Sequence, residues 1–213
     1  MKKILFPICV TILIVAGCTS IKTNSLSNDS GTISFFDNTA EYYPGGKIMK
    51  CKLSDTVTLN GYKCISWIRF FENGQIKQFK TARDIKMNNY TIPSNSTVFF
   101  DEQNHDKIKY IWFSKDVIIN HVECKGGSKI TTELYDNGNL KNCFLSRSQK
   151  IQGFPCQSSL LKPVYFYPNG KIKILTLSND SKFTNTVYKS GESIIVGEDG
   201  HVSKFERKLL RNP

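Results

Sequence analysis

Apolar positions fall in three regimes along this chain. From Ile4 to Ala16 they run almost unbroken, interrupted by Pro7 and Thr11. From Thr19 to about Ser30 they nearly vanish into Ser, Asn and Thr, leaving Ile21 and Leu26. Beyond that they recur in short bursts separated by turns rich in Gly, Asn and Pro. The first run is too short to span a bilayer, which needs about 20 apolar residues. Preceded by Lys2 and Lys3 and followed by small residues, it reads as an export signal. The polar stretch reads as a flexible tether over residues 18–32.

The third regime repeats itself. Tyr42-Tyr-Pro-Gly-Gly-Lys-Ile48, Phe70-Phe-Glu-Asn-Gly-Gln-Ile76, Leu134-Tyr-Asp-Asn-Gly-Asn-Leu140 and Tyr165-Phe-Tyr-Pro-Asn-Gly-Lys-Ile172 share one plan: aromatic or apolar, turn, then Ile or Leu. The turn glycines Gly46, Gly74, Gly138, Gly170 and Gly200 are separated by 28, 64, 32 and 30 residues. The double interval holds a degenerate copy at Phe99–Lys109, with Asp106 in the glycine place. Six copies therefore fill residues 33–210, and a repeat of this length is one supersecondary unit.

Asn-Gly at 73–74, 137–138 and 169–170 predicts β-hairpins with type I′ turns, which need positive φ at both central residues. Apolar residues at the fifth and seventh places after the turn (Cys51 and Leu53, Ile111 and Phe113, Cys143 and Leu145, Leu175 and Leu177) alternate as in a half-buried strand. The apolar second place (Ile48, Ile76, Ile108, Leu140, Ile172, Val202) breaks that parity, through either a bulge or the start of the turn. Fifteen residues after the turn stand Gly61, Asn89, His121, Gly153 and Asn185, types that tolerate positive φ. A second tight turn is expected there, with the apolar Cys64, Ile92, Cys124, Cys156 and Tyr188 three residues later. The fold class is all-β: an elongated antiparallel sheet of about six stacked β-hairpin repeats, stabilised by contacts between neighbours.

Two resemblances follow. Val15-Ala16-Gly17-Cys18 resembles the lipobox of bacterial lipoproteins, which implies cleavage before Cys18, lipid (including palmitate) on its thiol and new N-terminus, and a chain that stays on a membrane without crossing it. Tyr167-Pro-Asn-Gly-Lys-Ile-Lys173 with Leu177-Ser178-Asn-Asp180, and Leu145-Ser146 leading to Gly153-Phe-Pro-Cys156, resemble the variant MORN repeats of bacterial lipoproteins, some of them named as antitoxins. The copy at 70–97 departs, with Thr81-Ala82 for Leu-Ser and Ile92-Pro93 for the cysteine region. The repeat likeness implies a MORN-like fold, and it is shared by too many unrelated proteins to imply one function. An exported lipoprotein would not meet a cytosolic toxin.

Composition changes the picture in two places. The formal charge of +11 becomes +9 once Lys2 and Lys3 leave with the signal. Much of it comes from Lys47, Lys77, Lys107, Lys109, Lys141, Lys171 and Lys173, at the first and third places after the turn. These form either a basic interaction face or a solvated edge that resists aggregation. Apart from Cys18, five cysteines recur at two repeat places. Like places lie about 10 Å apart, beyond the reach of a disulfide, and unlike pairs stay open, with buried free thiols favoured.

No catalytic constellation, cofactor site or metal site is expected. His121-Val-Glu-Cys124 lacks the ligand spacing of a zinc site and is accounted for by repeat geometry. His105 and His201 stand in other copies. Asp84, Asp116 and Asp180, matched by Thr56 and Ser148, fit turn chemistry. The expectation is a non-catalytic, membrane-anchored repeat scaffold outside the cytoplasm, on the outer membrane or cell surface where a second membrane exists. It would bind protein, glycan or an anionic lipid surface, nucleic acid being disfavoured and oligomeric state open. The other readings are a structural envelope lipoprotein without a ligand, or an antitoxin-like binding protein.

Overall fold

The computed structural model describes residues 23–28 and 31–205. These hold no α-helix, and none of them forms a helix long and apolar enough to cross a membrane. The expected architecture is present. Six hairpins follow one another into a single antiparallel sheet: Glu41–Tyr42 with Ile48–Lys52, Tyr62–Phe70 with Ile76–Thr81, Thr97–Phe100 with Ile108–Trp112, Thr131–Leu134 with Leu140–Cys143, Val164–Phe166 with Ile172–Thr176, and Ser193–Val196 with Val202–Lys204. Each pairs only with its chain neighbours, as expected of a stacked array. Thr23–Asn28 and Gly31–Phe36 pair as a further hairpin, so part of the stretch read as a tether has strand geometry.

Between successive main hairpins the chain makes a smaller one. Val57–Leu59 folds onto Tyr62–Cys64, and Ile85–Lys86, Val117–Ile119, Gln149–Ile151 and Ser181–Phe183 pair with Thr91–Ile92, Val122–Cys124, Phe154–Cys156 and Thr186–Tyr188. Residues of these small hairpins (Leu59, Ile92, Ile119, Cys156) are buried in one cluster with the inward residues of the main sheet (Cys51, Ile68, Phe79, Ile111, Leu175). The protein thus has two layers, with one face of the main sheet covered and the other open.

The main turns depart from the predicted type I′ form, while the second turns are tight and left-handed at three of the five expected places, Gly61, His121 and Gly153. At the main hairpins Gly74, Gly138 and Gly170 have φ of 91°, 81° and 82°, while Asn73, Asn137 and Asn169 are not in the left-handed region. Gly138 N–H donates to the Tyr135 carbonyl at 2.8 Å, and Tyr135 N–H donates to the Asn139 carbonyl at 2.8 Å. This is a three-residue loop ending in one left-handed residue, not a type I′ turn. The type I′ pattern occurs in the small hairpins, where both central residues are positive: Asn60 and Gly61 (47°, 78°), Asn120 and His121 (49°, 66°), Gln152 and Gly153 (50°, 94°). Asn89 and Asn185 do not adopt positive φ; in the last copy Thr184 does, at 51°.

The parity conflict is a bulge. Phe70 pairs with Ile76 and Arg69 with Gln78, leaving Lys77 as the extra residue, and the same slip leaves Met49, Lys109, Lys141 and Lys173 unpaired in four other hairpins. A bulge turns the extra side chain out of the alternation and adds local twist. It lets both the second and the fifth place point inward.

Candidate functional site

Cys18 and the export signal lie outside the described residues. The seven lysines of the expected basic face stand along the turn edge, four in the bulges and three in the turns. There most of them are occupied, Lys77 and Lys171 across the seams between repeats and Lys109, Lys141 and Lys173 within their own hairpins. Lys77 Nζ meets Glu102 at 2.7 Å, Lys109 meets Asp101 at 3.1 Å and Lys141 meets Glu133 at 3.3 Å. Lys171 Nζ donates to the Glu198 carbonyl at 2.8 Å, and Lys173 Nζ stands 5.1 Å from the Tyr167 ring centre. Backbone N–H of Gln103 and the Lys109 ammonium hold the Asp101 carboxyl below its usual range, and Lys77 does so for Glu102. Lys47 and Lys107 have no such partner among the described residues.

Seam amides are occupied in the same way. Asn137 and Asn139 both donate to the Pro168 carbonyl of the next copy, at 2.8 and 2.9 Å. Gln152 donates to the Gly170 carbonyl and accepts from Ile172 N–H. Asn73 and Gln75 contact His105 Nδ1, whose ring stacks on Phe71 at 3.8 Å. Tyr43 and Tyr135 hydroxyls donate to the Phe70 and Phe166 carbonyls, each one copy further on.

The other sequence candidates also have internal occupations. Asp84, Asp116 and Asp180 accept the backbone N–H of Ser94, Gly126 and Ser190, and Ser148 does so for Ser158, always ten residues on. Each closes the base of a small hairpin. Around His121-Val-Glu-Cys124 the side chains part: His121 is an exposed turn residue, Glu123 pairs with Arg147, and Cys124 is buried. Among the described residues no group of three or more His, Cys, Asp or Glu side chains is placed to hold a metal. The five cysteines are free and buried. Burial pushes the thiols of Cys51, Cys64 and Cys156 up to about 12, far from the thiolate a nucleophile needs. Cys124 is raised by its contact with the Cys143 thiol and by burial.

The open face of the main sheet is different. Strand pairing lines up Lys50, Arg69, Gln78, Phe99 and Tyr110 across successive strands, and beside them runs the row Ile65, Lys80, Thr97, Trp112 and Thr131. Trp67 stands on the bulged Tyr62–Phe70 strand opposite Lys52. Both tryptophans of the chain are therefore on this face, three strand spacings or about 14 Å apart. They flank a groove of about 460 Å³ whose floor and rim carry Gln78, Lys80, Asn95 and Thr97. Trp112 is fixed by its Nε1–H donating to Thr131 Oγ1 at 3.1 Å and by the Phe99 ring 4.6 Å away. Trp67 remains 40% exposed, with the Lys50 ammonium 4.6 Å from its ring centre. The side chains of Arg69, Gln78, Lys80, Asn95 and Thr97 make no hydrogen bond or ion pair with any described residue.

The sequence reading missed this site because it separated the lysines by their distance from the turn and left the aromatics unsorted. The usable signal was the alternation of Trp67, Arg69, Gln78, Lys80, Phe99, Tyr110 and Trp112 against the buried Ile68, Phe79, Val98 and Ile111. No family description, curated protein or solved structure matches the chain.

Proposed function

We propose that this chain is a non-catalytic binding scaffold of the cell envelope, exported, held at a membrane by lipid on Cys18, and engaging its ligand through the open face of the main sheet. The observation that carries the reading is the Trp67–Trp112 groove. Large rings held in place and surrounded by unpaired polar groups are the composition of a recognition surface, where aromatic anchors supply contact area and polar groups supply orientation. A purely structural wall would have no need to leave those groups unengaged while the seams engage theirs.

Oxidative footprinting of tryptophan tests the binding half. Trp67 and Trp112 are expected to be labelled in the purified protein and protected in intact envelopes, while Tyr42, 51% exposed on the sheet edge, is labelled in both. Equal labelling of the tryptophans in the two states would contradict it. For the anchor, Cys18→Ala is expected to move the protein from the membrane fraction to the soluble one.

A further inference from the structure

We infer that the Trp67–Trp112 groove takes a carboxylated saccharide chain, an inference that rests on the open face being the binding surface. Backbone groups of the groove floor are already paired on both sides, since the Ile76–Thr81 and Thr97–Phe100 strands are interior. A peptide therefore cannot add as a strand here, and recognition falls to side chains alone.

Those side chains define the ligand. Two indoles about 14 Å apart offer flat apolar surfaces for two separated flat units of an extended chain, and the apolar faces of pyranose rings meet that need. Between the indoles Gln78, Asn95 and Thr97 bring amide and hydroxyl groups, each both donor and acceptor, which suit hydroxyls on every ring. Lys80 in the groove and Arg69, directly across from Gln78, add cations, and a guanidinium binds a carboxylate through two parallel hydrogen bonds. The neighbouring Lys50 is already paired to Glu41. The neutral groups decide between polyanions: amides and hydroxyls beside two unengaged cations fit a polymer that carries several hydroxyls on every ring along with its carboxylates. A nucleic acid, held by a continuous cationic track along its phosphates, would leave these neutral groups little to bind.

The test uses the full chain in non-ionic detergent micelles with polygalacturonate, dextran and oligo-dT as probes. Because Trp67 and Trp112 are the chain's two tryptophans, intrinsic fluorescence reports on this groove alone. A saturable fluorescence change is expected with polygalacturonate, weakened by added salt and at least tenfold weaker with dextran or oligo-dT. On immobilised polygalacturonate, Lys80→Gln and Trp112→Ala should each lose at least tenfold in affinity, while Lys77→Gln on the seam loses nothing. Trp112→Phe, which keeps a ring in place, covers the case in which the alanine variant fails to fold and should lose less. Tighter binding of oligo-dT, or equal binding of dextran, overturns the ligand class but leaves a binding face. Binding of none of the probes, or binding indifferent to Lys80 and Trp112, overturns the inference and removes the support it lends to the face.

Discussion

The seams between repeats and the open face of the sheet are built from the same residue types, Lys, Asn, Gln and aromatics, put to opposite use. On the seam, Lys77 finds a carboxylate and Lys171 a carbonyl, Asn137 and Asn139 find a carbonyl, and Phe71 finds His105. On the face, Lys80, Arg69, Gln78 and Asn95 find nothing within the described chain. Composition cannot separate these two sets; position in the strand pairing can. The bulge helps divide them, because it places Lys77, Lys109, Lys141 and Lys173 at the edge, outside the alternation that fixes which side chains face out.

The comparison predicts that seam substitutions cost stability and leave binding alone, and that face substitutions do the reverse. The largest effect is expected where the backbone itself packs. A Cβ at Gly126 would lie 2.1 Å from the Lys115 carbonyl carbon and oxygen, at the base that Asp116 closes, so Gly126→Ala should cost several kcal/mol, roughly the top of the range for single substitutions, read as a collapse of the urea midpoint. Removing the Asn137 and Asn139 amides together should cost about 1–2 kcal/mol, two exposed neutral hydrogen bonds at roughly 0.5–1.5 kcal/mol each at most. Lys80→Gln with Gln78→Ala should shift stability by less than about 0.5 kcal/mol while reducing ligand affinity. A seam variant that weakened binding as much as the face pair would break the distinction.

Inside the core the same contrast holds between two threonines. Thr81, in the copy that departs from the repeat pattern, is buried yet donates to the Pro93 carbonyl and accepts from Ser96 N–H. Thr132 is equally buried, and its hydroxyl has no partner among the described residues. Thr132→Val should therefore stabilise the protein by about 1 kcal/mol, since an unsatisfied hydroxyl is replaced by an isosteric methyl, whereas Thr81→Val should destabilise it. Denaturant melts of the two variants give the signs.

The thiols contribute an effect that appears only at alkaline pH. Cys51, Cys64 and Cys156 titrate near 12 when folded against 9.0 when unexposed to burial. The folded state holds these protons more tightly than the unfolded one. Their contribution is thus complete below about pH 9 and is lost as pH rises from 9 toward 12. Cys156→Ala should make that alkaline decline shallower. At neutral pH the native protein should react with alkylating reagents only as fast as it opens.

Much of the fold was legible in the sequence. The period near 32, the turn glycines and the alternation of Cys51, Ile111, Cys143 and Leu175 were enough for the array of six hairpins, because each repeat states the same local preference. Turn types were not legible. Asn-Gly suits either a type I′ turn or a three-residue loop, and the choice goes with the bulge three residues after the glycine, which only pairing reveals. The groove was hidden for a related reason: Trp67, Lys80 and Trp112 are 13 and 32 residues apart in sequence, and neighbours only once four strands are in register.

The central claim is that the two indoles form one ligand-binding groove. Two single-tryptophan proteins, Trp67→Phe and Trp112→Phe, titrated with polygalacturonate provide the most direct measurement. The account predicts that the remaining tryptophan in each responds and becomes protected from acrylamide quenching along a saturable curve, so that both rings report the same ligand. A response from one ring alone, or from neither while the ligand is bound, would contradict it.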